Sequence, residues 1–325
     1  MLAMNRIFFL IVGLTLWLGV GAIGAAAAGP PRIGFLTPIP ESGPDREGFR
    51  QGLRELGYIE GKNILIEWRR ADTGQELRAL ADGLIEAKVA VIVASGTQAA
   101  RAAMQATATI PVVFANVGDP VVSGFAASLA RPGRNGTGMS TVSLELNPKR
   151  LELLHQLAPK AKRITYLINS LNPISARMVQ ETQVAARTLG IRLQTLDAHN
   201  VREIDAVLQT LNKNPPEAVL VGGDLLYLAN KSKVAAAVRQ ARIPAIFAYE
   251  DYHEYGALMS YGPNMKEVSR LAAGYVDKIL RGASSAELPI QQISRFELII
   301  NLRLARELGI DVPRDFLVRA DRVIR

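Results

Sequence analysis

Short apolar runs alternate with amphipathic stretches along most of this chain. Arg32-Ile-Gly-Phe-Leu-Thr37 is an apolar run beside two prolines and reads as a buried strand. From Arg46 to Leu56, Phe49, Leu53 and Leu56 fall on one helical face, and Gly57 supplies a stop. Asn63–Trp68 reads as the next strand. Thr73-Gly-Gln-Glu76 is a capping box opening a helix with Leu77, Leu80, Leu84 and Ile85 on one side. Val89–Ala94 is wholly apolar, as a parallel strand covered on both faces must be. Val112–Ala115 and Thr137–Ser140 complete this first set.

A second set follows. Asn147-Pro148 predicts a helix start, with proline at its first position and a stripe of Leu151, Leu154 and Leu157. Arg163–Ile168, Ile191–Leu196, Ala218–Val221 and Ala245–Ala248 read as strands. Helices lie between them, one opened by Asn172-Pro173 and closed at Gly190. Ala257–Tyr261, a helix capped by Asn264 and a late strand Phe296–Ile300 end the pattern. Repeated β-α-β units predict an α/β protein of two lobes, each a parallel sheet with helices on both faces. The expected boundaries are 32–142 plus 249–285 for one lobe and 143–248 plus 286–325 for the other.

The beginning of the chain breaks this alternation. Arg6 precedes an uncharged apolar run, Ile7–Val20, which gives way to Ala25-Ala26-Ala27-Ala28. Charge, apolar run and small residues in that order make a secretory signal peptide over 1–28, cleaved near Ala28 at the Ala26-x-Ala28 pair. An uncleaved anchor is the alternative, since no charge occurs from Ile7 to Pro31; no basic stop-transfer cluster follows. Either way the folded part is expected outside the cytoplasm.

Composition sharpens the setting. The chain has no cysteine, so disulfides cannot hold it together and no lipid-modified cysteine can tether it. An exported bacterial protein without lipid or anchor needs an outer membrane to retain it, which points to a Gram-negative periplasm. The net charge of +8 is spread through helices of mixed sign. Without a block of like charge it describes a soluble surface and not a nucleic-acid partner.

Catalytic and metal-binding patterns are missing. The three histidines, His155, His199 and His253, have no second histidine at metal spacing. There is no G-x-S-x-G, S-x-x-K or P-loop pattern. Gly133-x-x-Gly136-x-Gly138 precedes a strand instead of joining a strand to a helix, so it is a turn and not a dinucleotide fingerprint. No catalytic residue, metal or cofactor is expected. An enzyme on this fold would need an acid/base pair, for which Asp119 with Asp224 is the one candidate.

The informative residues lie just beyond the strand ends, where open α/β sheets bind ligands. Ser95-Gly-Thr97-Gln98 opens an alanine-rich helix whose free N–H groups suit a carboxylate or phosphate. Asn116-Val-Gly-Asp119 follows the next strand, and Asp119 either holds an ammonium or caps the following segment. Asn169, Asn172 and Ser175 follow Ile168. Asp224 is a charge at a buried strand end, which needs a cation, an Arg/Lys partner or water. Tyr249 and Tyr261 offer flat apolar faces with a hydroxyl each. One lobe thus suits an anionic end and the other a cationic end, as a zwitterion in an interlobe crevice requires.

Several longer stretches carry a resemblance. They are Phe49–Asn63, Ser95–Gln98, Ile110–Phe114, Gly118-Asp-Pro120, Leu129–Gly138 and Arg150–Leu154. In these the chain resembles the periplasmic substrate-binding proteins of ABC transporters, in the tryptophan- and phenylalanine-binder-like subfamily with the type I periplasmic binding fold. The likeness runs through essentially the whole mature chain. It implies two Rossmann-like lobes joined by a hinge, which close over one small ligand and dock, as a monomer, on an ABC permease in the inner membrane. It also implies that the loops at Thr97, Asn116–Asp119, Asn169–Ser175 and Asp224 line the site. One position departs: Gln98 stands where the family often has proline, and its amide can bond a more polar ligand. The function expected is the solute-binding component of an importer; the alternative is a sensor signalling ligand occupancy to a membrane receptor.

Overall fold

The computed structural model describes residues 29–41, 43–71 and 73–325; the expected signal segment, 1–28, lies outside the described residues. The strands are β1 Arg32–Thr37, β2 Leu65–Arg70, β3 Val91–Ser95, β4 Val112–Val117, β5 Gly136–Ser140, β6 Arg163–Ile168, β7 Arg192–Asp197, β8 Ala218–Val221, β9 Ala245–Phe247, β10 Met259–Gly262, β11 Gln291–Gln292, β12 Glu297–Asn301 and β13 Arg322–Ile324. The helices are α1 Pro44–Glu55, α2 Gly74–Glu86, α3 Thr97–Ala106, α4 Ser143–Leu157, α5 Ser175–Thr188, α6 Val201–Lys213, α7 Leu225–Ala229, α8 Lys231–Gln240, α9 Met265–Leu280, α10 Leu302–Glu307 and α11 Arg314–Arg319.

They form two sheets, ordered β11-β5-β4-β3-β1-β2 and β13-β12-β10-β9-β8-β6-β7. Every neighbouring pair is parallel except β10 with β12, so the second sheet is mixed where a purely parallel one was expected. Each sheet carries an apolar cluster on both faces, which is why its central strands contain little polar side chain.

Three crossings join the lobes, near 141–142, 263–264 and 293–296. The second and third differ from the expected 249 and 286. Beyond β9 the chain stays in the second lobe through Tyr252, which is stacked on Phe247, and through β10, paired with β9. Gln291 and Gln292 return to the first sheet beside Met139 and Ser140. At the first crossing Val142 is left-handed, with φ 44°. A β-branched side chain there costs about 1–3 kcal/mol and persists only where the surroundings impose it. Here they do: Thr141 N and Ser143 N donate to Val117 O and Gly118 O on either side.

α4 begins at Ser143, four residues ahead of the expected cap, and holds Pro148 in its interior. Asn147 is not free to cap. Its amide donates to Tyr166 Oη at 2.7 Å and its carbonyl oxygen accepts from Arg150 Nη1 at 2.6 Å. α5 likewise begins at Ser175 and not at Asn172, whose amide is bonded to Asp224.

The first lobe depends on a close helix pair. A Cβ at Gly48 would lie 1.9 Å from Lys266 O, and one at Gly52 2.3 Å from Arg270 O, so the seam between α1 and α9 admits only glycine. Gly52→Ala is expected to cost about 1–3 kcal/mol by forcing the two backbones apart. Denaturant unfolding checks this, and an unchanged midpoint would refute it.

Candidate functional site

The two sheets point their carboxyl ends at each other across a narrow cleft. Pro38, Ser95, Gly96, Thr97, Gln98 and Asn116 line it from the first lobe; Asn172, Gly223, Asp224 and Leu225 line it from the second. About 10 Å³ is left between them, room for about one water molecule. A larger molecule can enter only if the lobes separate.

On the first lobe, β3 ends in Ser95 and α3 starts after Gly96. Gly96 is the N-cap, at φ 92°, and no side chain caps the helix. The Thr97 hydroxyl accepts from Gly118 N at 3.1 Å and braces the loop after β4. The first N–H groups of α3 therefore remain available on the cleft side, where an anion is favoured. Ser95 Oγ is buried beside the carboxyl group of Asp45. Behind it the fully buried Asp45 accepts from Thr37 Oγ1 at 2.7 Å and from Arg46 N. Burial pushes its pKa up, against the pull of those bonds.

The register of β4 against β5 shifts between Phe114 and Val117. That irregularity turns Asn116 into the left-handed region, φ 61°, and directs its side chain across the cleft. Its amide reaches Tyr249 Oη of the other lobe at 3.3 Å, while its carbonyl oxygen is buried and unpartnered. Tyr249 is buried, not at a rim, and burial holds its phenol protonated, with its pKa pushed up to about 12.

On the second lobe Asp224 is the centre. Oδ1 accepts from Leu226 N at 2.9 Å and from Asn169 Nδ2 at 3.4 Å, and Oδ2 accepts from Asn172 Nδ2 at 2.8 Å. Burial raises its pKa and those three donors counter it. Neither an arginine nor a lysine lies within 4.0 Å of it among the described residues. The partners the sequence demanded for this charge are thus two amides and a backbone N–H, and the charge itself is uncompensated. Asn169 acts through Asp224, and Ser175 Oγ is buried without a partner at the start of α5.

Five expected residues are not part of the cleft lining: Asn169, Ser175 and Tyr249, buried behind it, and Asp119 and Tyr261, turned away from it. Asp119 Oδ1 accepts from Val121 N and Val122 N, both at 3.0 Å, so it is the turn cap and not the ammonium holder. This also removes the Asp119–Asp224 acid/base pair. Tyr261 stacks on Phe296 at 6.0 Å, away from the lining, because β10 ends at the second crossing. Pro38, Gly223 and Leu225 line the cleft and were missed, and so was the burial of Arg150 behind Gly223. Arg150 lies inside a leucine-striped helix, where nothing in the spacing marks it.

Direct contacts hold the lobes together. Arg101 Nη2 donates to Leu171 O at 2.6 Å. Leu225 Cδ1 is 2.6 Å from where a Cβ at Gly96 would sit, and Ile174 Cδ1 2.3 Å from one at Gly118. Ile39 of the first lobe is buried in the apolar cluster of the second.

Residues 40–324 match the family model of the ABC transporter substrate binding protein. The chain belongs to this family. It is a family of substrate-binding proteins and not of enzymes. A tyrosine-binding protein of Clostridioides difficile is 28% identical over 271 residues, 83% of this chain and 77% of that one. The structure of a conserved domain protein from Vibrio cholerae superposes with a TM-score of 0.84 at 27% identity, over 90% of this chain and 99% of that one. A Streptococcus pneumonia ABC domain in complex with L-Trp gives 0.82 at 24%, covering 91% and 100%. The ligand-free, open structure of a Clostridium difficile substrate-binding protein gives 0.61 at 27%, covering 90% and 99%. The fold is thus the type I periplasmic binding fold.

Gly96→Ala is expected to keep the lobes apart, because the new methyl meets Leu225 only when they close. At φ 92° and ψ 158°, a conformation essentially confined to glycine, the substitution adds about 1–3 kcal/mol of strain. Small-angle scattering should give a larger radius of gyration than for the wild type; an equal radius would show that the Gly96–Leu225 contact does not limit closure.

Proposed function

We propose that this protein is the periplasmic solute-binding component of an ABC importer and that its ligand is an amino acid held between the lobes. The observation that carries the reading is the cleft itself. One side presents the uncapped start of α3 and the other a buried carboxylate with no cation beside it. An ammonium group would complete Asp224 and a carboxylate would complete α3. The relatives that bind tyrosine and tryptophan support this ligand class.

Binding proceeds by closure. The ligand enters between separated lobes and is enclosed as Asn172, Asp224 and Leu225 meet Ser95, Thr97 and Asn116. Only the closed state offers contacts from both lobes, so the ligand shifts the population toward it. That this chain superposes better on the tryptophan complex than on the open structure, despite lower identity, fits such a motion. The closed pair then presents surfaces of both lobes, as a monomer, to a permease in the inner membrane. Among the described residues no helix is long and apolar enough to cross a membrane. Export rests on the charge, apolar run and small residues of 1–28, with cleavage near Ala28.

Asp224→Asn is expected to weaken an amine-bearing ligand at least tenfold, about 1.4 kcal/mol. Asparagine keeps the side-chain shape and removes the charge. Titration calorimetry with the protein amino acids measures this, and affinity equal to that of the wild type would take Asp224 out of ammonium recognition.

A further inference from the structure

We propose that Arg150 receives the carboxylate of the ligand, so that the second lobe reads both charges of an α-amino acid. This rests on the reading of the cleft as an amino-acid site and deepens it.

Arg150 is 1% exposed, the largest fully buried side chain of the described residues. Its Nε donates to Tyr261 O at 2.7 Å and its Nη1 to Asn147 Oδ1 at 2.6 Å. Both acceptors are neutral. No carboxylate lies within 4.0 Å of it among the described residues, although the arginines of the surface are generously paired. The rings around it are those of Tyr166, Tyr249 and Tyr261, and burial keeps the first two phenols protonated and uncharged. Burial also lowers the Arg150 pKa to about 10, which leaves the guanidinium charged at neutral pH. A buried charge with no counter-ion costs several kcal/mol, and truncating the chain to a smaller neutral residue would avoid that cost. An anion arriving from outside supplies what the fold omits.

The route to it passes Gly223, which lines the cleft. A Cβ there would have Tyr249 Oη at 3.4 Å and Arg150 Nη1 at 3.7 Å as neighbours. The guanidinium thus borders the room that the missing side chain leaves. Asp224 is the next residue along. A buried anion and a buried cation, each lacking an opposite charge, therefore flank adjacent positions of one turn. An α-amino acid carries its ammonium and carboxylate on one carbon and offers a charge to each; a simple amine or a simple acid satisfies only half. Arginine can hold the carboxylate bidentately, and on closure the N–H groups of α3 meet the same anion.

The test compares each protein amino acid with its carboxamide, which keeps the ammonium and loses the negative charge, by calorimetry on the mature chain. The wild type should bind its best amino acid about tenfold or more tighter than the amide. Arg150→Gln should bring the two affinities together. A purely structural role would lower thermal stability but leave that ratio intact. If Arg150→Gln does not fold, Gly223→Ala decides, since its methyl meets only ordinary contact distances and leaves both Arg150 hydrogen bonds in place; it should reduce amino-acid affinity about tenfold. Equal wild-type affinity for acid and amide overturns the assignment, as does a variant that keeps the wild-type ratio and affinity. Failure of the wild type to bind any amino acid overturns the amino-acid reading, and this assignment with it.

Discussion

Two polar strand-end surfaces that close on each other must account for every donor, acceptor and charge from which they expel water. The rest of this structure follows from that demand. Asp224 is met by Asn169, Asn172 and Leu226 N; the Thr97 hydroxyl is met by Gly118 N; Asn116 is met by Tyr249 from the opposite lobe. Ser175 Oγ and Asn116 Oδ1 are left over. Each unmet group costs about 1–3 kcal/mol when buried. The unmet groups thus lie in both lobes, while the Asn116–Tyr249 bond crosses the seam.

Apolar contacts work in the other direction. Ile39, Ile174 and Leu225 carry side chains across the seam, onto bare glycine backbone at Gly96 and Gly118 and into the partner lobe's core. Full burial of one such side chain is worth about 1.5–3 kcal/mol. Closure thus has a favourable, ligand-independent part from these side chains and an unfavourable part from the unmet polar groups. Ligand affinity reports the difference, and residues that never touch the ligand can change it.

Much of this was legible before the structure. Ser95, Thr97, Gln98, Asn116, Asn172 and Asp224 were found by one rule, that sites lie beyond the carboxyl ends of parallel strands, and all of them border the cleft. The rule says where a residue is but not which way it faces. Asp119 obeys it and yet turns back onto Val121 N and Val122 N, because an aspartate before Pro120 caps as readily as it binds. Tyr261 ends its strand at a crossing instead of at the cleft. Arg150 illustrates the opposite failure: helical periodicity shows a leucine stripe, and an arginine beside it reads as a solvent-facing side chain. Its burial arises only when β8, β9 and β10 cover it, a consequence of tertiary packing that local pattern does not encode. The early start of α4 has the same origin, since Asn147, a good cap by itself, is already bonded to Tyr166 and Arg150.

The glycine seam between α1 and α9 joins residues more than two hundred positions apart, and β11 adds the edge of the same sheet from still further along. The second lobe likewise takes β12 and β13 from the chain's last stretch. Neither lobe can be completed by a nascent chain that stops short of about residue 290. Such high contact order makes folding slow. The interleaving of the two lobes postpones the native state until β11, β12 and β13 have been made.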